Sequence, residues 1–150
     1  MLSRFVTSFN HHFTYWHFII PTIYGKGENP NRLIPYTIDA IRNRVRLAFT
    51  SGEQVRQYVH VSEIPTLIDL AYTKKLPSGI YNIEGSETKS VKEIVEEIHR
   101  LLGVEIPADC FGTLHRTDTS MKYLALDGSK LYNAIGFKSS VRISDVINNY

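Results

Sequence analysis

Residues 19–27 read Ile19-Ile20-Pro21-Thr22-Ile23-Tyr24-Gly25-Lys26-Gly27, and residues 54–61 answer them with Gln54-Val55-Arg56-Gln57-Tyr58-Val59-His60-Val61. The first stretch closes a compact apolar run, Tyr15 to Ile20, whose aromatic and β-branched content predicts a buried strand. It then passes into loop chemistry at Gly25 to Asn31. The second stretch alternates over Val55 to Val61 and predicts another strand. Between them Leu33, Ile34, Thr37, Ile38 and Ile41 recur at helical spacing, so a helix is expected up to about Arg42. Strand, helix, strand in this order predicts an α/β body.

The flanking sequence extends the pattern. Leu2, Phe5, Val6 and Phe9 predict a short helix over residues 2–12. Val45 to Thr50 reads as a strand ending in a turn at Ser51-Gly52. Ser62 is an N-cap candidate for a helix with Ile64, Leu67, Ile68 and Ala71 on one face. Gly79 to Ile83 reads as a short buried strand. The clearest helix runs from Ser90 to Leu102, where Ser90 and Glu93 form a capping-box pair and Gly103 is a natural stop. A strand at Tyr123–Leu126, a helix from Ser129 to Ile135 and a last helix near Ile143–Asn148 complete the expectation.

Composition narrows the function classes. The 150 residues are 43% hydrophobic and 21% charged, as in ordinary globular domains, and the net charge of +2 gives no electrostatic footprint for nucleic acid. No apolar run reaches the ~18 residues of a membrane span. One cysteine, Cys110, excludes an internal disulfide framework and suits a reducing, cytoplasmic compartment. No repeat or flexible linker divides the chain, so one body is expected.

Several familiar chemistries do not fit. Gly25-Lys26-Gly27 sits between strand and helix like a dinucleotide loop. However, the third glycine position holds Pro30, and the acid expected about 20 residues on is absent. A backbone turn is the better reading. None of the nine Tyr has a Lys four residues later, the spacing that lets a lysine prepare a phenol for proton transfer. The six His are scattered without metal-ligand spacing. Cys110 has no adjacent activating base. What remains are Arg32, Arg56 and Arg116, each near a turn. A guanidinium there can fork onto phosphate oxygens or simply face solvent.

The order of motifs resembles the C-terminal half of an extended short-chain dehydrogenase/reductase, the family of NAD-dependent nucleotide-sugar epimerases and dehydratases. Residues 19–27 are similar to the family's R-x-x-N-x-Y-G-x-G, and residues 32–38 to its x-L-x-P helix start. Residues 52–61 resemble G-x-x-x-R-D-[YF]-[IV]-x-V, and residues 79–84 resemble G-x-[YF]-N-[IV]-G. Residues 126–137 resemble the closing D-x-S-K-x-x-x-x-L-G-[WF]. Departures include Ile19 for the family's Arg, Thr22 for its Asn and Gln57 for its Asp.

The resemblance implies the last strands of a Rossmann-like parallel sheet plus a small mixed α/β substrate domain. Residues 1–25 and 54–83 would be Rossmann-sheet elements, and 26–53 and 84–150 the nucleotide-sugar region. It implies that Pro21 lies near the nicotinamide by main chain and Thr22 near the substrate phosphates. Leu33, Ala48 and Phe49 would meet the base. Arg32, Arg56 and Arg116 would face the diphosphate. NAD or NADP would serve the full-length parent, with none expected for this chain alone. The glycine-rich loop and the Tyr/Lys pair would lie upstream of Met1. The chain is therefore expected to be inactive by itself, to need an N-terminal Rossmann half and a nucleoside-diphosphate sugar as partners, and to expose or dimerise through an unpaired strand edge. The alternative is a non-catalytic nucleotide-binding or assembly domain of the same fold.

Overall fold

A computed structural model describes Ser8 and residues 13–114 and 121–150. Apart from Ser8, the helix expected over residues 2–12 lies outside these, as does Arg116. At the centre is strand β3, Val55–His60, the predicted alternating segment. We number the other strands β1 (Trp16–Ile19), β2 (Thr22–Tyr24), β4 (Gly79–Asn82), β5 (Glu87–Ser90) and β6 (Tyr123–Leu124). The helices are α1 (Leu33–Asn43), α2 (Glu63–Thr73), α3 (Val91–Leu102), α4 (Ser129–Ile135) and α5 (Ile143–Val146), the last running into a 3-10 turn at Ile147–Asn149.

One edge of β3 pairs antiparallel with β5, Val55 opposite Ser90 and Tyr58 opposite Glu87. It also pairs in parallel with β6 at Val55 and Arg56, and with β2 at Tyr58, Val59 and His60. β6 and β2 meet β3 at successive stretches, so they share its second edge. β1 and β4 form a separate parallel pair, Trp16 opposite Gly79 and Ile19 opposite Asn82. The strands of the two expected Rossmann segments thus divide between two sheets.

Both faces of β3 are covered, which is why Tyr58 and Val59 are 1% and 0% exposed despite pointing oppositely. Val59 joins Leu67 and Ala71 of α2, Tyr81 of β4 and Leu131 of α4 in one core. Tyr58 joins Tyr24, Ile34 and Ile38 of α1 and Ile94 and Ile98 of α3 in another. Gln57 is 4% exposed, and both ends of its amide are hydrogen-bonded. Its Oε1 accepts from Gly85 N (3.3 Å) and Leu126 N (2.9 Å), and its Nε2 donates to Leu126 O (3.2 Å). A carboxylate could not make that last bond. Gly85 is required here, because a Cβ would fall 2.5 Å from the Tyr58 carbonyl oxygen.

The sequence reading needs four corrections. Residues 45–50 form no strand. Val45 N turns back to Ala40 O (2.9 Å) to close α1, and Phe49 pairs only with a loop, its N donating to Cys110 O (2.7 Å) and its O accepting from Leu114 N (3.1 Å). Ser62 makes no side-chain cap, its Oγ lying 2.7 Å from His60 Nδ1 instead. Ile68 is 50% exposed and not part of the buried face of α2. Strands β1 and β4 are only half covered, with Ile19 and Ile80 at 40% and 43% exposure, since among the described residues each is paired along one edge.

The C-terminal segment is tied down by buried carboxylates. Glu63 accepts from Ser139 Oγ (2.5 Å), Ser140 N (2.7 Å) and Val141 N (3.3 Å). Glu87 accepts from Ile143 N (2.8 Å), and Tyr24 donates its hydroxyl to Val141 O (3.1 Å). Because Glu63 is 7% and Ser139 5% exposed, removing the carboxylate leaves a buried hydroxyl without its acceptor and frees two partly buried amides. Glu63→Ala should lower unfolding free energy by about 2 kcal/mol or more, read by urea denaturation; a change under ~0.5 kcal/mol would contradict this role.

The predicted capping box of α3 is formed. Glu93 N donates to Ser90 Oγ (3.1 Å) and Ser90 N donates to Glu93 Oε2 (2.6 Å). The Ser90 amide, and then the Ser90 hydroxyl, which donates to the same Oε2 (2.8 Å), hold the Glu93 carboxyl below its ordinary range. With a folded pKa below the unfolded one, the contribution is complete above the usual carboxylate range and is lost as pH falls through the depressed value. Ser90→Ala should cost about 1 kcal/mol at neutral pH, and the gap from the unchanged chain should narrow on acidification. A gap independent of pH would count against the linkage.

Candidate functional site

The first turn of α1 presents Leu33 and Tyr36, three residues apart and so on one helical face. Across from them runs the extended segment Ala48-Phe49-Thr50. With Asn31 and Leu114 these residues line a cleft of about 480 Å³. Three of the residues singled out from sequence, Leu33, Ala48 and Phe49, thus come together.

The Phe49 ring is fixed from several directions. Tyr36 meets it edge-on at 5.7 Å and 87°, and Phe111 stacks on it at 5.5 Å and 28°. Its main chain is held by Cys110 and Leu114 as above, so what Phe49 offers the cleft is its ring. Ala48 differs, since its N–H and C=O take no backbone partner among the described residues. Aromatic walls beside one free donor and one free acceptor suit a flat, polar-edged ring.

A second cluster lies where the second edge of β3 passes from β6 to β2. Arg56 stands opposite Leu124 of β6, and Tyr58, two residues on and on the same face, stands opposite Thr22 of β2. Arg56 Nη1 donates to Val55 O (2.7 Å) and reaches Lys122 O (3.5 Å). Arg32 precedes α1 with extended backbone. Its Nη2 donates to Ile23 O (3.0 Å), and its Nε lies 3.1 Å from Glu28 Oε2. That anchor holds the guanidinium against β2, one residue from Thr22. Pro21 is half-buried immediately before Thr22.

Electrostatics agree with this placement. Burial pushes the Tyr58 phenol up to about 12, and Arg56 and then Arg32 pull against it. Its neighbour Tyr24, edge-on at 6.4 Å, faces the opposite charge: burial and then Glu87, Glu63, Asp145 and Glu97 all raise its pKa. The two phenols therefore point into different fields. Asn31 and Leu33 flank Arg32 in sequence and line the cleft, so cleft and cations share the start of α1.

Among the described residues no group of three His, Cys, Asp or Glu side chains is placed to hold a metal ion. Cys110 is fully buried in the core beside Phe49, and burial pushes its thiol pKa up, which suits packing and not nucleophilic attack. Sequence reading missed Asn31, Tyr36, Thr50 and Leu114 in the cleft and Tyr58 in the cationic cluster. Tyr36 had a usable signal in its spacing from Leu33. Leu114 had none, because its position depends on how the loop closes over Phe49.

Residues 1–83 match the model of the NAD dependent epimerase/dehydratase family. The chain is 27% identical over 125 residues to dTDP-glucose 4,6-dehydratase of Escherichia coli, covering 76% of this chain and 34% of that protein. In structure it is similar to dTDP-glucose 4,6-dehydratase of Streptomyces venezuelae with NAD bound, with TM-score 0.83 and 19% identity over 99% of this chain and 45% of that one. It is also similar to UDP-N-acetylglucosamine 4-epimerase of Methanobrevibacter ruminantium in complex with UDP-N-acetylmuramic acid, with TM-score 0.82 and 21% identity over 99% of this chain and 51% of that one. The chain thus spans about a third of the curated relative's length and about half of each solved one. The structural likeness establishes the fold, a Rossmann-like mixed α/β body with parallel strand pairs. With more than half of its residues matched by the family model, the chain belongs to the NAD dependent epimerase/dehydratase family.

Proposed function

We propose that this chain is the nucleoside-diphosphate-sugar-binding part of an NAD(P)-dependent epimerase, dehydratase or 4-ketoreductase, working in the cytoplasm. The observation that carries the reading is the adjacency of an aromatic cleft and a cationic cluster across the start of α1. The base would lie against the Phe49 ring between Leu33 and Ala48. Arg56 and Arg32, with Arg116 as a further cation, would face the diphosphate, and Thr22 would border it. A diphosphate in such a place needs cations because an unpaired buried charge is costly.

The cofactor would supply hydride transfer to and from a sugar carbon. The residues present do not fit its dinucleotide portion. Gly25 is packed so closely on β3 that a Cβ would meet Val61 at 2.5 Å, and no third glycine follows. Only the Pro21 main chain is offered as a nicotinamide neighbour. No Tyr in the 150 residues has a Lys four positions on, so no proton-transfer pair of that kind is available here. The partner of the chain is then a cofactor-binding half that carries both. Until that half docks, the edge of β1 that is unpaired among the described residues is the surface through which two copies would associate.

Two measurements test this. Calorimetry with UDP, dTDP, GDP and CDP should show binding of at least one. Arg56→Ala should weaken it about tenfold or more through loss of a charge-assisted hydrogen bond, and Phe49→Leu should weaken it about tenfold through loss of base stacking. Binding by none of the four, or unchanged affinity in both variants, would overturn the reading. Separately, the purified chain mixed with NAD(P) and a nucleotide sugar should show no turnover by absorbance at the nicotinamide band or by product analysis; measurable turnover would contradict the assignment of the chemistry to another part.

A further inference from the structure

Arg32 is an exposed arginine that is nonetheless held in one place. Its side chain is 44% exposed, and a guanidinium on so open a stem ordinarily samples many rotamers. Here two of its three nitrogens are engaged. Nη2 donates to Ile23 O (3.0 Å) and Nε lies 3.1 Å from Glu28 Oε2, while Nη1 takes no hydrogen-bond partner among the described residues. An exposed ion pair by itself would fix little. Glu28, however, is itself fixed. Its side chain is only 12% exposed. Its Oε1 accepts from the Tyr150 hydroxyl at 2.9 Å, and the Gly25 N–H lies 3.5 Å from the same oxygen. The two oxygens of one carboxylate thus divide between Arg32 and a phenol 122 residues away.

Tyr150 is held in its turn. Its N donates to Ile147 O (3.4 Å), and its O accepts from Nη1 of Arg42 (2.8 Å) in the last turn of α1. Its ring packs against the core of Tyr24, Ile34 and Ile38. Burial first, and then the Glu28 charge, raise the phenol above its ordinary pKa, so it remains a donor throughout the neutral range. We propose that Tyr150 is a positioning residue for the substrate's diphosphate: its hydroxyl holds Glu28, and Glu28 presents Arg32 with Nη1 free for a phosphate oxygen. The inference rests on the nucleoside-diphosphate reading above and adds to it the relay that sets the cation. Two effects act in the same direction. A cation fixed before the ligand arrives gives up less rotamer freedom on binding. By occupying Oε1, the hydroxyl also stops the carboxylate from turning both oxygens onto the guanidinium, where it would compete with a phosphate for the same charge.

The test is Tyr150→Phe, which removes one oxygen and keeps the packed ring. The unchanged chain and the variant are titrated with the tightest binder among UDP, dTDP, GDP and CDP, and with the matching nucleoside. Diphosphate affinity should fall about fivefold, the scale of ordering one long side chain, with nucleoside affinity unchanged. In an Arg32→Ala background the same substitution should cost less than about twofold, because the residue it positions is gone. Equal diphosphate affinity in the Tyr150→Phe variant and the unchanged chain, with Phe49→Leu still weakening it, would overturn the role of Tyr150 and leave the nucleotide reading standing. An undiminished loss in the Arg32→Ala background, or parallel losses for nucleoside and diphosphate, would make the effect one of folding and overturn it as well. Without ligand, the nitrogen-relaxation order parameter of the Arg32 Nε–H should fall in the variant; an unchanged value would contradict the relay whatever the nucleotide affinities. Failure of the unchanged chain to bind any of the four diphosphates would overturn the nucleotide reading and this role together.

Discussion

Strand β3 is the constraint on which everything else depends. Among the described residues it is the one strand that pairs along both edges and is covered on both faces, and six residues must satisfy all four demands. Val59 has to be apolar for the core under α2 and α4, and Tyr58 large for the core under α1 and α3. Gln57 has to accept from Gly85 and Leu126 and donate to Leu126 at once. A one-residue slip would exchange these faces and lose every one of those interactions.

The same strand creates the site. Its second edge is shared by two short strands, and two strands that end and begin along one edge leave a gap between them. Arg56 and Tyr58 fall on either side of that gap because they are two residues apart. The helix after β2 starts at the gap and brings Arg32 and Leu33 to it. The other wall of the cleft is an irregular segment whose backbone partner is another loop, which explains how Phe49 is held without a sheet. Glu63, Glu87 and Tyr24 fasten the C-terminal segment across the structure. The acids act on the Tyr24 phenol and the arginines on the Tyr58 phenol. Among the described residues, the carboxylate that reaches Arg32 or Arg56 is Glu28, which orients Arg32.

Much of this was legible in the sequence, for physical reasons that differ by element. Helix α3 was readable because local chemistry decides it: a serine, a glutamate three residues on, an apolar face and a terminal glycine. Strand β3 was readable from alternation. Strand β5 was not, because Glu87-Thr88-Lys89-Ser90 carries no apolar period and pairs with β3 through its backbone, while Lys89 pairs with Glu87 of its own strand and with Glu97 of α3. Residues 45–50 have strand composition but no strand to pair with, and only tertiary structure could show that. Leu33, Ala48 and Phe49 led to the cleft through family resemblance alone, since none of them carries a chemical signal by itself. Tyr58 was legible only as part of its motif, since a tyrosine in an alternating strand reads as core, and in the structure it packs there.

One ligand is taken to span the cleft and the cationic gap. The most direct measurement is a crystal structure of the chain soaked with whichever of UDP, dTDP, GDP and CDP it binds. The predicted result is the base against the Phe49 ring and both phosphates between Arg32 and Arg56. A nucleotide bound elsewhere on the molecule, with the cleft and the gap unchanged, would contradict it.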